Sequence, residues 1–308
     1  LWIDPRDSNH LVLGSDVGVT ISYDRGSTWD YVDNLPIGQF YHVGYDNETP
    51  FNVCGGMQDN YDWCGPSAVR TIGGISNDRW HTVQGGDGFV KIIDQTDSRY
   101  VYTESQDGNI TKRNVVTGES KSIRPGPANT TDPKAGGAYR FHWDTPLQFS
   151  ADNSGAILVG GNKLFRSTDR GDSWTAISPD LTTNGDREES MIMGMHNSDI
   201  RIAKNDGIAS WPAITSVADS AKNPMLLMTG ADDGTVSTLD VTQVGVDGAV
   251  AELVRLATVP HAVKHLLVTD DGTIVAASDL DVTTIDGTSG EILGRTEFDD
   301  ISDLAPGG

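Results

Sequence analysis

Hydrophobic residues along this chain fall in short runs, many alternating with polar positions, and Gly, Asp, Asn or Ser bounds nearly every run. Alternation at period two is the signature of half-buried strands, and helix-period stretches are nearly absent. One pattern returns: an Asp-rich turn, a short apolar strand, a Gly/Asp turn and another strand. "IDPRDSNHLVLGSDVG" is answered by "IDQTDSRYVYTESQDG", and "FSADNSGAILVGGNKLF", "VADSAKNPMLLMTGADDG" and "LLVTDDGTIVAASDLD" continue it. The spacing wanders between about 40 and 70 residues, which suits a four-stranded unit with variable loops.

Strands can be ranked within each unit. The innermost are "QFYHVGYD", "GFVKIID", "LQFSAD", "AITSVAD" and "AVKHLLVTD". Second strands are "FNVCGG", "YVYTES", "AILVGG", "MLLMTG" and "TIVAAS". Third strands include "GVTISYD", "NITKRNV", "KLFRSTD" and "TVSTLDV", and fourth strands "TWDYV", "RWHTV", "SKSIRP", "SWTAIS" and "ELVRLAT". The pattern predicts an all-β chain, a β-propeller of about six to seven four-stranded antiparallel blades, the first lacking most of its innermost strand. The terminal "ISDLAPGG" is placed to begin a further blade. Residues 1–308 are expected to form a single propeller within a longer polypeptide, because "LWI" already reads as a strand. Residues 179–207 break the rhythm as a long inter-blade insertion.

An octet occurs twice, as Ser22-Tyr23-Asp24-Arg25-Gly26-Ser27-Thr28-Trp29 and as Ser167-Thr168-Asp169-Arg170-Gly171-Asp172-Ser173-Trp174. Both copies fall between third and fourth strands. An Asp there can accept backbone N–H bonds from residues further on, and Gly26 and Gly171 can take a positive φ. Trp29 and Trp174 would open the outer strand and pack between blades. These are structural assignments, and Trp80 falls at the matching place of another blade.

The octets resemble the Asp-box, or bacterial neuraminidase repeat, of sialidases, sortilin-type receptors and tandem-propeller xyloglucanases. The phrases "GGMQDNYDWCGPS", "GGDGF", "YTESQDGN" and "LFRSTDRGDSWTAISPDLT" are similar to large secreted bacterial proteins with sortilin-like repeats, often labelled glycosyl hydrolases. The likeness covers roughly residues 1–240. It implies Asp-box hairpins between strands three and four. "LGSDVGVTISYD" is similar to the "TDVGG" phrase of the xyloglucanases, which implies a catalytic carboxylate at Asp16. Val-Gly-Val-Thr stands here where those enzymes have Val-Gly-Gly and an aromatic, and their other catalytic Asp comes from a second propeller. Asp59 and Asp87 are the conceivable partners in this chain. Sialidase action is disfavoured, because "YRFHWDTP" does not match that family's Arg-Ile-Pro phrase.

Charge narrows the partners. The chain carries 44 Asp and Glu against 22 Lys and Arg, a formal charge of -22. Such a surface repels nucleic acid and anionic lipid, and no apolar run is long enough to insert in a membrane as a helix. Cys54 and Cys64, the only two cysteines, are close enough for a hairpin disulfide, which points to an extracytoplasmic home. The histidines show no metal-ligand spacing.

In a propeller, turns between strands two and three share one face with loops between strands four and one. That face would carry Gln58, Asp59, Asn60, Asp87, Glu104, Gln106, Asp107, Asn162, Asp232 and Asp233, with Asp279 and Asp281 on the last such turn. Trp63 lies near it, as a surface on which a sugar ring could stack; Trp143 and Trp211 precede inner strands. Converging carboxylates would suit a polyhydroxy ligand or Ca²⁺ and would raise one another's pKa values; no cofactor is otherwise implied, and no EF-hand pattern occurs. The expected function is an extracytoplasmic recognition or scaffold propeller, binding glycan or peptide at an acidic channel mouth and joined to further domains of the same polypeptide. The alternatives are a glycoside hydrolase acting on β-glucan-type polysaccharide through Asp16, and a structural protein of a cell-surface or extracellular complex.

Overall fold

The alternating runs are extended in the computed structural model, which describes residues 1–15, 18–32, 38–132, 138–151, 155–192, 194–205, 210–220, 223, 225–244 and 251–298. Asp16 and the terminal "ISDLAPGG" lie outside the described residues. The chain divides into two compact units, Leu1–Gln39 and Phe40–Gly308.

The first unit is one antiparallel sheet in sequential order: β1 (Trp2–Ile3), β2 (Leu11–Ser15), β3 (Gly18–Ser22) and β4 (Asp30–Tyr31). Its innermost strand is only two residues long, as the sequence pattern indicates.

The second unit repeats that meander. The second sheet holds β5 (Val43–Tyr45), β6 (Asn52–Gly56), β7 (Asp62–Pro66) and β8 (His81–Gln84). The third holds β9 (Gly88–Ile93), β10 (Tyr100–Ser105), β11 (Asn109–Asn114) and β12 (Ser120–Ser122). A short β13 (Thr130–Thr131) pairs in parallel with the outer strand of the fourth sheet, an addition that the sequence pattern does not announce. That sheet otherwise comprises β14 (Leu147–Phe149), β15 (Ile157–Gly160), β16 (Leu164–Ser167) and β17 (Trp174–Ala176). Inside the 179–207 insertion, β18 (Met191–Ile192) and β19 (Met195–His196) make a separate hairpin. The fifth sheet is β20 (Ile214–Asp219), β21 (Leu226–Ala231), β22 (Thr235–Asp240) and β23 (Glu252–Thr258). The sixth is β24 (His265–Val268), β25 (Thr273–Ala277), β26 (Asp281–Asp286) and β27 (Ile292–Glu297).

Within this unit, first strands of successive sheets lie beside one another: β5 with β9, β9 with β14, and β20 with β24. Packing follows the period of two. Ile157 and Val159 of β15 face a core shared with Tyr102 and Ile110 of the third sheet. Leu158, between them, points the other way into a core with Ile214 and Leu227 of the fifth. Leu227 and Met228 split likewise between that core and one with Ile274 and Ile285 of the sixth. Both faces of these sheets are therefore buried between neighbours, the packing expected of propeller blades.

The seam between the second and third sheets differs. A Cβ on Gly44 would lie 2.3 Å from the Lys91 carbonyl, and one on Gly56 would lie 2.3 Å from the Gly88 backbone. Only glycine lets these backbones approach so closely. Nearby, Cys54 and Cys64 face each other across β6 and β7 and form a disulfide within a core that includes Val83, Ile93 and Val101. Reducing it is expected to lower stability by about 3 kcal/mol, the entropy of a loop this short. Urea titration with and without reductant measures the change, and an unmoved midpoint contradicts it.

The two octets form matching hydrogen-bond sets. Ser22 Oγ accepts from Gly26 N (2.8 Å) and Asp24 Oδ1 accepts from Thr28 N (2.8 Å). Ser167 Oγ accepts from Gly171 N (2.8 Å) and Asp169 Oδ1 from Ser173 N (2.9 Å). The Thr28 hydroxyl donates to Asp24 Oδ2 (2.7 Å) and, with the Thr28 N–H, holds that carboxyl below the usual range; at Asp169 burial is the largest influence and raises it, but the Ser173 hydroxyl (2.6 Å) and N–H outweigh it. Gly26 and Gly171 take φ of 85° and 83°, and Arg25 and Arg170, which the sequence reading passes over, take 61° and 62°.

The surroundings of the octets differ. Trp174 is buried and its indole N–H donates to Ile123 O at 2.7 Å. Arg170 pairs with Asp94 at 3.1 Å, and Asp172 accepts from Lys112 (2.9 Å) and Lys121 (2.8 Å), tying the fourth sheet to the third. Trp29 rests over Gly26 and remains 39% exposed.

Candidate functional site

The turn after β6 is a tight one. Met57 N–H donates to Tyr61 O (3.0 Å), and both Asp59 and Tyr61 take positive φ, 61° and 68°. Positive φ is uncommon for Asp and an outlier for a bulky Tyr, and such strain persists only where neighbouring contacts fix it. Asp87 supplies one such contact. Its buried carboxylate accepts the Asp59 N–H at 2.9 Å, fastening the 57–61 turn to the loop before β9. Trp63 is half-buried and donates its indole N–H to Asn60 O at 2.8 Å, so it braces the turn rather than presenting a free ring.

The rings offered to solvent belong to other residues. Phe40, Tyr41 and Tyr61 are about half exposed. Tyr41 Oη donates to Gln58 Oε1 at 2.6 Å, and the Tyr61 ring stands over Gly85. A Cβ on Gly86 would lie 3.0 Å from Gln106 Oε1, so the turn after β10 meets the same loop. The structure thus gathers Gln58, Asp59, Asn60, Trp63, Asp87, Gln106 and Asp107 at one end of the second and third sheets. Asp107, whose N–H donates to Trp143 O (3.3 Å), has its carboxyl raised by burial.

Beneath these turns lies a buried ionic cluster. Asp62, the first residue of β7, and Lys91 of β9 are fully buried and pair at 3.0 Å. Lys91 Nζ also donates to Glu104 O (2.7 Å) and Val90 O (3.0 Å). Apart from the ion pair, neither Asp62 oxygen has a partner among the described residues. Burial pushes the Asp62 carboxyl up to about 6 against the pull of Lys91, and lowers the Lys91 ammonium. Glu104, fully buried near the end of β10, accepts from Gly108 N (3.2 Å) through Oε1, and its Oε2 has no hydrogen-bond partner within 3.5 Å among the described residues. Burial first, and Asp144 second, raise it well above the usual carboxylate range. The Lys within the apolar run "GFVKIID" is the available sequence signal for this cluster, and the sequence analysis does not single out Asp62.

The other predicted residues lie on the fourth to sixth sheets. Asn162 accepts from Arg140 N (3.0 Å) and donates to Asp180 (2.9 Å), which also pairs with Arg140. Asp232 accepts from Ala213 N (2.9 Å) and is pushed up to about 7 by burial; Asp233 accepts from Thr183 N (2.6 Å), anchoring the insertion. Asp281 is held by Ser278, Arg295 and His261, and Asp279 pairs with Lys264. Among the described residues, no three His, Cys, Asp or Glu side chains form a group able to hold a metal ion. A cleft of ≈ 480 Å³, lined by Glu48, Asp94 and Arg99 among others, lies by the β5–β6 and β9–β10 turns, at the far ends of those strands from residues 57–61.

No protein family and no curated protein matches this chain. Among solved structures it is similar to the WD40 β-propeller domain of Doa1, at 12% identity and a TM-score of 0.47, over 85% of this chain and 73% of that one.

Proposed function

We propose that this chain is an extracytoplasmic recognition or scaffold module that binds a glycan or peptide at the loop face of its second and third sheets. In this reading the four-stranded sheets are propeller blades and the two octets are Asp-box hairpins, in keeping with their resemblance to those repeats. The observation that carries the reading is the set of exposed rings of Phe40, Tyr41 and Tyr61 beside Gln58, Asp59 and Asn60, with Tyr61 held at positive φ. Flat exposed rings suit the apolar face of a sugar, and adjacent amides and carboxylates suit its hydroxyls. The charge of -22 favours a neutral or cationic ligand. The buried disulfide supports an oxidising compartment. The hydrolase reading depends on Asp16, outside the described residues, and no observation favours it.

The test is a glycan-array and peptide-library screen on the whole chain. A ligand found there is expected to bind at least about tenfold more weakly to Tyr61→Ala and to Gln58→Ala, through loss of ring contact and of a polar partner. Asp24→Ala, in the first unit, is expected to leave affinity unchanged. Binding that ignores Tyr61 and Gln58 refutes the assignment of the site.

A further inference from the structure

The buried cluster sits directly under the proposed binding turns, and its chemistry goes beyond holding them in place. Asp62 follows the 57–61 turn in the chain and Glu104 precedes the 106–108 turn, with Lys91 between them. Asp62 pairs with Gly56 across β6 and β7, and a Cβ on Gly88 would fall 1.7 Å from its Oδ1. The carboxylate therefore lies in a slot floored by glycine, where the two sheets meet backbone to backbone. The apolar cluster of Cys54, Cys64, Val83, Ile93 and Val101 closes one part of that seam, and the ionic groups lie at the part beneath the turns.

We propose that Asp62, Lys91 and Glu104 form a proton-operated lock on the 57–61 and 106–108 turns, tight when the two carboxyls carry protons and looser when they are ionised. The regulation concerns the binding face assigned above and rests on that reading for its purpose. The lock itself can be tested without any ligand.

The direction follows from linkage. A local opening that lets water reach the cluster returns each acid toward its ordinary pKa. Because burial raises both acids in the closed state, protons favour closure and ionisation favours opening. From Asp62 alone, moving from pH 7 to pH 5 should disfavour opening about tenfold, and Glu104 adds to that. The acidic neighbours fit this direction, whereas Lys91 and His142, lowered by burial in the closed state, regain protons on opening and act against it. Lys91 faces Asp62, Glu104 and Asp144, and Glu104 faces Asp144 and Lys91. The Asp144 carboxylate accepts from His42 Nε2 at 2.9 Å. His142, lowered by burial, faces Asp144, Lys264 and Asp107, and Asp107 in turn faces Arg124. Lys91, lowered by burial and raised in part by Asp62, lies 3.0 Å from the Asp62 carboxyl.

Hydrogen exchange on the whole chain at pH 5 and pH 7, corrected for intrinsic rates, tests the lock. Amides of residues 57–61, 88–93 and 106–108 are expected to be about tenfold or more better protected at pH 5, while those of β25 and β26 serve as an internal reference. Glu104→Gln, a neutral isostere of the protonated acid, is expected to raise protection of the same amides at pH 7 and to reduce their pH dependence. Equal protection at both pH values, a change shared with the reference strands, or a Glu104→Gln chain less protected than the parent at pH 7 overturns the proposal. Since no ligand enters the experiment, its failure is separate from failure of the Tyr61 and Gln58 variants to affect binding.

Discussion

Trp174→Ala is expected to cost the second unit about 3–5 kcal/mol, whereas Trp29→Ala should cost the first about 1 kcal/mol or less. The octets around the two tryptophans are the same in hydrogen bonding, so the difference isolates what lies outside them. Trp174 is 2% exposed, packs in the core with Tyr102, Ile123 and Phe165, and spends its indole N–H on the Ile123 carbonyl. Its removal leaves a cavity between two sheets and an unpaired buried carbonyl, two of the few routes to a large loss. Trp29, 39% exposed over Gly26, loses mainly surface contact. Denaturant unfolding of each variant supplies the numbers. Equal losses would mean that the octet's own turn, and not the docking of its tryptophan, sets the stability.

That contrast also marks how far the sequence could be read. Strands were legible because a period of two survives every substitution that keeps a face apolar, as Ile157, Leu158 and Val159 show by alternating between two cores. The octet was legible because Ser22 and Asp24, or Ser167 and Asp169, must sit at fixed offsets from the N–H groups they bond. Placing 57–61, 87 and 106–107 at one end of the sheets followed from strand order. Chemical roles were not legible. Asp87, Asn162 and Asp232 read as ligand-face residues, yet each accepts a backbone N–H that fixes a loop. Trp63, expected as a stacking surface, is partly buried and donates its indole N–H to Asn60, while Tyr61 is the more exposed ring. A letter code does not show whether an acid faces solvent or a glycine-floored slot, and that distinction separates Asp59 from Asp62.

Lys91→Met should destabilise the second unit by about 3–5 kcal/mol at pH 7, because it strands a buried carboxylate whose one strong partner is gone. The loss should shrink in acid. Asp62 is pushed up to about 6 from its ordinary 3.8 even with Lys91 beside it. The folded chain thus binds that proton more tightly than the unfolded one. Its contribution to stability is most favourable below pH 4 and is lost as the pH rises through 6, a span of about 3 kcal/mol. Without Lys91 the carboxyl rises further and the gain on acidification grows. The double variant Asp62→Asn with Lys91→Met removes both charges and should recover most of the loss at pH 7, since well-packed neutral groups commonly replace a buried pair at no cost. Urea titrations at pH 7 and pH 5 on the three chains decide the matter. If the single variant is as stable as the parent, or the double is no better than the single, a stranded Asp62 carboxylate is not what weakens the seam. If the results fall as expected, the chain carries at this seam a charged cluster that a neutral one would match in stability, so the charges there serve something other than stability beneath the 57–61 and 106–108 turns.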